Sequence, residues 1–215
     1  ALHEPAHHAP PREPRQGACP GLVQLGPPGC KTNGWCSSRP VAPPAVAAVK
    51  GLAFFARPRA LDPDGIADVI RRFATAAAMV QEAGFDGVCW GPIPGLKEGV
   101  TRHGLFFLGG MSSAKAAEFP RLLQELKDTG AHHVNVQLAD EDTLTPEALD
   151  LALSLMQEGR RLGLEPAVEV HRDTCTETPE KTYALADAYQ KVTGELLPIS
   201  WDFSHIAVVK HLRPD

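Results

Sequence analysis

The chain has 215 residues, of which 43% are hydrophobic, and a formal net charge of -5 at pH 7. This length suits one domain with a sizeable core. The net negative charge and the lack of a basic cluster argue against a protein that binds nucleic acids or anionic membranes.

Cysteine use and hydropathy indicate the compartment. The five cysteines are scattered without CxxC spacing, at Cys19, Cys30, Cys36, Cys89 and Cys175. This pattern indicates reduced thiols, since a zinc site built from the first three would have poor spacing. No apolar run is long enough to span a bilayer, and the N-terminus has no secretory signal. We therefore expect a cytoplasmic protein without a membrane partner.

The first 50 residues are predicted to be an irregular or poorly ordered segment. Residues 1–20 are rich in proline and histidine, and 39–50 contain three further prolines, at Pro40, Pro43 and Pro44. Such segments lack the apolar periodicity of helices and strands. A short strand is predicted at Gly21–Leu25, followed by turn residues. Residues 51–215 are predicted to form the main domain.

That domain is predicted to begin with a helix and a strand. Asp62 is a candidate N-cap with Pro63 in the first turn, and Gly84 ends the helix. Apolar residues recur at helical spacing between them, namely Ile66, Val69, Ile70, Phe73, Ala77 and Val80. Residues 85–90 form the next strand. Leu105–Leu108 follows as an apolar strand, and Gly109-Gly110 is predicted to be a loop.

Three further pairs of patterns complete the chain. Ser112 or Ser113 is predicted to cap a helix in which Pro120 lies in the first turn or causes a kink. His132–Leu138 is a strand, followed by a helix from Thr145 to about Gly163. Two apolar runs then follow, at Glu165–His171 and Leu197–His205, and they are separated by a helix from Thr178 to Gly194. The final residues, 211–215, are predicted to begin a loop.

The spacing of these elements predicts an α/β fold. Strands begin near residues 85, 105, 133, 166 and 198, and most intervals contain a helix. This rhythm is typical of parallel βα units. With the strand near residue 22 the array has about six strands, whereas a closed (βα)₈ barrel needs eight and about 250 residues. We therefore predict a TIM-barrel-like array that is incomplete and shortened at its C-terminal side.

Acids and histidines lie together at the ends of the last two strands. Glu169 and His171 point to the same face because strand side chains alternate, and Asp202 and His205 end the next strand. Carboxylates and imidazoles suit Mn²⁺, Mg²⁺, Co²⁺ or Zn²⁺. A structural alternative stays open for each residue: Glu169 could pair with Arg172, His171 could be satisfied at the strand end, and Asp202 could cap the following segment with Ser204.

Other residues are weaker candidates. Asn135 and Gln137 on the preceding strand could hydrogen-bond a substrate, and Trp90 could line its pocket, although core packing is an alternative for the indole. His132 and His133 begin their strand at the opposite end, so we interpret them as surface or structural residues.

From about Phe85 to Asp215 the chain resembles the xylose-isomerase-like TIM barrels, a family of sugar isomerases and epimerases. The resemblance rests on Val168–Arg172 with Thr174 after it, on Trp201–His205, and on Gly84–Val88. It implies that Glu169 and Asp202 bind a divalent metal. It also implies that His205 binds metal or substrate, that Glu169 and His205 are catalytic, and that His171 and Arg172 contact the sugar.

Residues 21–88 resemble a different family, the old yellow enzyme flavin oxidoreductases. The residues that carry this resemblance are Gln24-Leu25, Arg39–Pro44, Phe55–Leu61 and Glu82–Val88. The resemblance implies that the strand with Gln24 contacts FMN. Cys89–Pro94 replaces the histidine-containing segment of that family, however, so FMN is not expected.

Three functional hypotheses follow. The first is a metal-dependent isomerase or epimerase whose partner is a small sugar or sugar phosphate. The alternatives are an FMN-dependent fragment of the old yellow enzyme type, and a non-catalytic barrel fragment that forms homo-oligomers through exposed strand edges.

Overall fold

The computed structural model describes residues 22–24, 41–42, 59–92 and 96–209. The chain divides into two compact units, one comprising Ala1–Val88 and Ile93–Leu105 and the other Cys89–Pro92 and Phe106–Asp215. The predicted irregular arm at residues 1–20, most of the proline-rich segment and the loop predicted at 211–215 lie outside the described residues. The assignment of 1–50 and 51–215 as separate regions stays a prediction.

The described part of the first unit contains short strands and two helices. Strand β2 pairs in parallel with β3. Asp62 caps α1 as predicted, because its Oδ1 accepts a hydrogen bond of 2.7 Å from the amide of Gly65. The helix ends before Gly84, whose φ of +85° is easily adopted only by glycine. The elements are β1 (Leu22–Gln24), β2 (Val41–Ala42), β3 (Arg59–Ala60), α1 (Pro63–Glu82) and α2 (Leu96–Arg102).

The second unit is a parallel βα array. It contains the end of β4 (Gly87–Trp90), followed by β5 (Phe106–Ser113), β6 (His133–Leu138), β7 (Glu165–Val170) and β8 (Ile199–Trp201). These five strands are neighbours in chain order and curl into a half-barrel. The helices are α3 (Phe119–Thr129), α4 (Thr145–Leu162), α5 (Pro179–Thr193) and α6 (Phe203–Val209). The incomplete TIM-barrel-like array is confirmed, and a strand occurs at each of the six predicted positions.

The two faces of this sheet differ in chemistry. Alternate side chains on β6 and β7 are almost completely buried, namely those of Val134, Val136, Leu138, Val168 and Val170. This face packs against the helices, since Gly159 of α4 lies close to the ring of Pro166 on β7. The opposite face is half-buried and carries Asn135, Gln137 and Glu169. Alternation in the strands thus separates an apolar core from a polar inner face.

The helix ends follow the sequence signals. Thr178 caps α5 by accepting a hydrogen bond from the amide of Lys181 at 3.4 Å. Helices α4 and α5 end at Gly163 and Gly194, both with positive φ, as predicted. Pro120 lies in the first turn of α3. Among the described residues, no helix is both long enough and apolar enough to cross a membrane.

The strand β5 is longer than predicted. It continues through Gly109 and Gly110 to Ser113, where the sequence predicted a loop and a helix cap. A Cβ on Gly109 would lie 3.1 Å from Leu126 Cδ2, so glycine allows β5 to pack closely against α3 at this position. The hydroxyl of Ser113 donates to Glu118 Oε2 at 2.7 Å instead of capping a helix. The prediction that Ser112 or Ser113 caps α3 is therefore wrong.

Candidate metal and substrate site

The candidate site lies on the polar inner face of the second unit, toward the carboxyl ends of its strands. Parallel pairing aligns Ser112 with Gln137 and Glu169 with Ser200. Because side chains two residues apart share a face, Asn135 lies on the same face as Gln137. In βα barrels this end of the sheet carries the functional groups. The pairing thus places Gln137 and Glu169 near the carboxyl ends of their strands, with Asn135 two residues before Gln137 on the same face.

Three buried polar atoms on this unit lack a partner. They are Oδ1 of Asn135, Oε2 of Glu169 and Nδ1 of His205, none of which forms a hydrogen bond within the described residues. A buried acceptor without a partner is costly, so such groups usually mark a bound water, ion or ligand. Carboxylate and amide oxygens with an imidazole nitrogen match the donors preferred by Mg²⁺, Mn²⁺ and Zn²⁺. In donor type, these residues therefore suit a divalent cation.

Buried threonines hold the end of β7 in place. The hydroxyl of Thr174 donates to the carbonyl of His171, and that of Thr176 donates to the carbonyl of Glu169, both at 2.6 Å. Thr182 in α5 donates to the carbonyl of Thr176 at 3.0 Å. Since these three threonines are at most 3% exposed, their hydrogen bonds are shielded from water. The segment after β7 therefore fixes the backbone of Glu169 and His171.

Asp202 has the capping role that the sequence left open as an alternative. Its Oδ1 accepts hydrogen bonds from the amide and hydroxyl of Ser204, at 2.8 and 2.6 Å, and so begins α6. The bonds from Ser204 lower the pKa of this carboxyl, with a smaller contribution from His205. Its other oxygen, Oδ2, lies 3.5 Å from His205 Nε2. Capping by Oδ1 therefore leaves Oδ2 beside the imidazole of His205.

His205 lies in α6, a helix that the sequence analysis did not predict. Burial lowers the pKa of His205, and the neighbouring His171 adds to this effect, against the opposing charges of Asp202 and Glu169. The imidazole is therefore neutral near pH 7. A proton on Nε2 would face Asp202 and leave the lone pair of Nδ1 free, which is the form that binds metals.

His171 packs directly on His205. The ring centroids lie 3.7 Å apart with an interplanar angle of 41°. The Nδ1–H of His171 donates to the carbonyl of Arg172, so the orientation of this ring is held by its own loop. The two histidines predicted from separate strand ends are thus in contact.

Three further predicted residues are Arg172, Gln137 and Trp90, and the first two are not among the described residues with a buried, unpartnered atom. Arg172 is exposed, and its ion pair is with Asp173 at 3.7 Å, not with Glu169. Gln137 is half-buried on the inner face. Trp90 is the last residue of β4, and its side chain lies outside the described part of the chain.

The predicted metal ligands are only partly assembled. Asp202 and His205 are in contact, but Glu169 does not join them in a group whose ligand atoms all lie within 4.8 Å. Within the described ranges, the group that meets this distance is His132, His133 and Glu165, at the amino ends of β6 and β7. Sequence reasoning had interpreted these two histidines as surface or structural residues.

Cys89 is a neighbour of the site that the sequence analysis missed. Burial raises the pKa of its thiol to about 11, and the negative charge of Glu169 adds to the increase. The thiol is therefore protonated at neutral pH. The signal in the sequence was its place near the end of β4, beside Trp90.

Comparisons with known proteins give distant structural matches. No protein-family model matches the chain, and no curated protein matches it. The probable 3-DHS dehydratase AsbF from Bacillus anthracis is 16% identical over 64% of this chain and 60% of its own, with a TM-score of 0.48. A xylose isomerase-like TIM barrel protein from Mycobacterium smegmatis in complex with magnesium is 17% identical over 62% of this chain and 56% of its own, with a TM-score of 0.44.

A third solved structure is that of a synthase. Dihydrodipicolinate synthase from Aquifex aeolicus is 12% identical over 61% of this chain and 57% of its own, with a TM-score of 0.44. The chain thus spans 60% or less of the lengths of these three proteins. The resemblance of residues 21–88 to the old yellow enzyme family is unsupported by the comparisons.

Proposed function

We propose that the second unit belongs to a divalent-metal-dependent enzyme that isomerises or epimerises a sugar or sugar phosphate. The observation that carries this proposal is the set of three buried atoms, on Asn135, Glu169 and His205, that have no hydrogen-bond partner among the described residues. Polar atoms without partners in a folded protein are suited to a ligand that brings its own donors and charge. A cation and a polyhydroxy substrate together meet that requirement.

The metal-binding role falls to residues at the ends of β7 and β8. Glu169 would hold the cation through Oε2 and His205 through Nδ1, while Asp202 Oδ2 would accept from Nε2–H of the same imidazole and orient that ring. A bound divalent cation supplies charge that polarises a carbonyl or hydroxyl oxygen and so acidifies the neighbouring C–H group. Mn²⁺, Mg²⁺, Co²⁺ and Zn²⁺ are the candidate ions.

The remaining residues would bind and orient the sugar. Oδ1 of Asn135 can accept a hydrogen bond from a sugar hydroxyl, and the amide of Gln137 lies on the same face. Packing against His171 fixes the ring of His205, and Nε2–H facing Asp202 keeps Nδ1 unprotonated. The exposed guanidinium of Arg172 is suited to a phosphate or a terminal hydroxyl.

Proton transfer on carbon provides the direct test. Metal-stripped full-length protein is resupplied with each of the four cations and incubated in deuterated water with a panel of aldoses, ketoses and their phosphates. The proposal predicts metal-dependent product and deuterium incorporation at the reacting carbon, both abolished by Glu169→Gln. The control is Glu147→Gln, an exposed acid in the first turn of α4, which should keep full activity.

Two outcomes contradict the proposal. One is the absence of product and exchange with every cation and sugar in the panel. The other is equal turnover by the wild type and Glu169→Gln. An absorbance scan tests the flavin alternative at the same time, since FMN would colour the protein and the proposed metal site with Mg²⁺ or Zn²⁺ would not.

The exposed aromatic residues around β8 favour self-association as a second candidate function. Trp201 stacks on Phe203 with ring centroids 6.3 Å apart and contacts Tyr183 at 6.1 Å. All three side chains are exposed, and β8 is the last strand of its sheet. Exposed aromatic surface beside an edge strand favours association. Light scattering should then give a homo-oligomer, and a monomer over the whole concentration range would contradict this function.

A further inference from the structure

A second group of potential ligands lies at the amino ends of β6 and β7, at the far ends of these strands from Glu169. It consists of His132, His133 and Glu165. Nε2 of His132 lies 3.3 Å from Glu165 Oε1, and Nδ1 of His133 lies 2.9 Å from Glu165 Oε2. Two imidazoles thus direct a ring nitrogen at opposite oxygens of one carboxylate.

These spacings match the ligand shell of a small transition-metal ion. Zinc binds nitrogen and oxygen at about 2.0–2.2 Å in tetrahedral sites, which places neighbouring ligand atoms about 3.3 Å apart. The distance of 3.3 Å between His132 Nε2 and Glu165 Oε1 equals that value, and one ligand atom from each of the three residues lies within 4.8 Å of the other two. Little rearrangement would be needed for a cation to bind among them.

The backbone on both sides of the group is fixed by the sheet. His133 and Glu165 are directly paired across the parallel strands. The amide of Glu165 also donates to the carbonyl of His132 at 2.9 Å. The ring of His133 is further supported by Phe106, with centroids 5.4 Å apart. Ligands on paired strands are held more precisely than ligands on loops.

Two of the three residues line a cavity with room for a water molecule as a fourth ligand. His133 and Glu165 line a cavity of about 370 Å³ that also contains apolar side chains, among them Met156 and Tyr189. Arg160 also lines this cavity, and its positive charge is compensated by an ion pair with Glu195. A bound metal would therefore keep an open position toward a water molecule in the cavity.

We infer that His132, His133 and Glu165 form a site for a divalent transition-metal ion, with Zn²⁺ as the preferred occupant and a water as the fourth ligand. Two imidazoles and one carboxylate are a donor set that suits Zn²⁺ better than Mg²⁺ or Ca²⁺, which prefer oxygen ligands. The ion would join the first residues of β6 and β7 and stabilise the folded chain through its binding energy.

Calorimetric titration of Zn²⁺ into the metal-stripped full chain tests this site. The wild type should bind Zn²⁺ and unfold at a higher temperature with it. His133→Asn and Glu165→Gln should each lower the Zn²⁺ affinity by about 100-fold or more. Loss of a residue that only supports a metal ligand already costs up to about 100-fold, and these two residues are themselves the proposed ligands. Since both residues are partly exposed, circular dichroism should show an unchanged fold. If His133→Asn does not fold, His132→Asn, with a side chain 60% exposed, replaces it.

Two control variants separate this site from other potential ligands. Asp202→Asn alters the site at the carboxyl ends of the strands, and the joint replacement of His3, His7 and His8 by asparagine removes the histidines near the N-terminus. Both variants should bind Zn²⁺ at this site with the affinity of the wild type. When Co²⁺ is bound in place of Zn²⁺, their visible absorbance spectra should also match that of the wild type. Zn²⁺ binding that is equal in the wild type and His133→Asn, or no Zn²⁺ binding by the wild type, would overturn the inference. The contacts would then be two imidazole–carboxylate hydrogen bonds only.

Discussion

The imidazole rings of His171 and His205 lie 3.7 Å apart between centroids, although one follows β7 and the other lies in α6. This contact brings together two residues that the sequence placed at separate strand ends. Burial lowers the pKa of His205, and the close approach of His171 lowers it further. The surroundings therefore favour a neutral His205 imidazole on the inner face of the unit.

The first prediction concerns the titration of His205 in metal-free protein. Its pKa is lowered, chiefly by burial and then by His171, so nuclear magnetic resonance should give a value below the ordinary 6.5. His171→Asn should raise this pKa toward 6.5, because it removes one of the lowering effects. Asp202→Asn should lower it further, because the opposing negative charge is lost.

This shift has a consequence for stability. A histidine with a lowered folded-state pKa binds fewer protons than it does in the unfolded chain. The stability it contributes is present above pH 6.5 and is lost as the pH falls from there toward the folded-state pKa. Urea unfolding across this range should show a smaller loss in His205→Asn than in the wild type. An equal loss in the two proteins would contradict the lowered pKa.

The second prediction separates the two roles of Asp202. Asp202→Ala removes the cap of α6 and should lower the free energy of unfolding by about 0.5–2 kcal/mol. Asp202→Asn keeps an oxygen that can accept from Ser204, so its stability should stay closer to wild type. Both variants should lose metal affinity, since neither has the carboxylate. If Asp202→Asn bound metal like the wild type, the residue would be a cap only.

Asp202 also shows why part of the fold could be predicted and part could not. Local sequence signals were sufficient to predict the bounds of α1, α4 and α5. Each of these helices begins at or next to an Asp or Thr that precedes a proline, and each is followed within two residues by a Gly. The segment Trp201–His205 has both strand and helix signals, and only the tertiary structure decides that α6 begins at Phe203. Helix α2 was not predicted, because seven residues are too few for a clear helical periodicity.

The third prediction tests the close packing of α4 on β7. A Cβ on Gly159 would lie 2.6 Å from Cδ of Pro166, a rigid ring that cannot move aside. Gly159→Ala should therefore lower the free energy of unfolding by about 1–3 kcal/mol. Gly99 in α2 is the matched control, since among the described residues no atom outside the helix backbone lies within 4 Å of the position that an alanine methyl group would occupy there. Gly99→Ala should stabilise its helix by about 0.5–1 kcal/mol. Chemical denaturation measures both, and equal effects would contradict the packing.

The fourth prediction concerns the thiol of Cys89. Its pKa is raised to about 11 by burial and by Glu169, so alkylation at neutral pH should be slow. Glu169→Gln should lower this pKa and accelerate the reaction, because one of the two raising effects is removed. Cys175 is the internal control, because burial raises its pKa to about 12 and the charges that act on it are those of Lys181 and Asp140. Mass spectrometry of the modified peptides follows each thiol, and an unchanged rate at Cys89 in Glu169→Gln would show that the two groups do not interact.

The candidate site was only partly predictable for a physical reason. The sequence places Glu169, His171, Asp202 and His205 at strand ends, because strand alternation and the direction of a parallel sheet are local rules. It cannot show that Asn135 has a buried oxygen without a partner, since that depends on every neighbour in the folded unit. The threonines that fasten β7 and the group at His132 and His133 depend on tertiary structure in the same way.

Binding of one Mn²⁺ ion to the inner face is the most direct test of the central claim. The protein carries Glu165→Gln, which disables the second proposed site, and is stripped of metal. Mn²⁺ is then titrated into it, and electron paramagnetic resonance measures the Mn²⁺ that stays free. We predict that one ion binds per chain, that adding Glu169→Gln abolishes binding, and that adding Glu147→Gln does not. Equal binding with and without Glu169→Gln, or no binding by the parent protein, would contradict a metal site at the carboxyl ends of the strands.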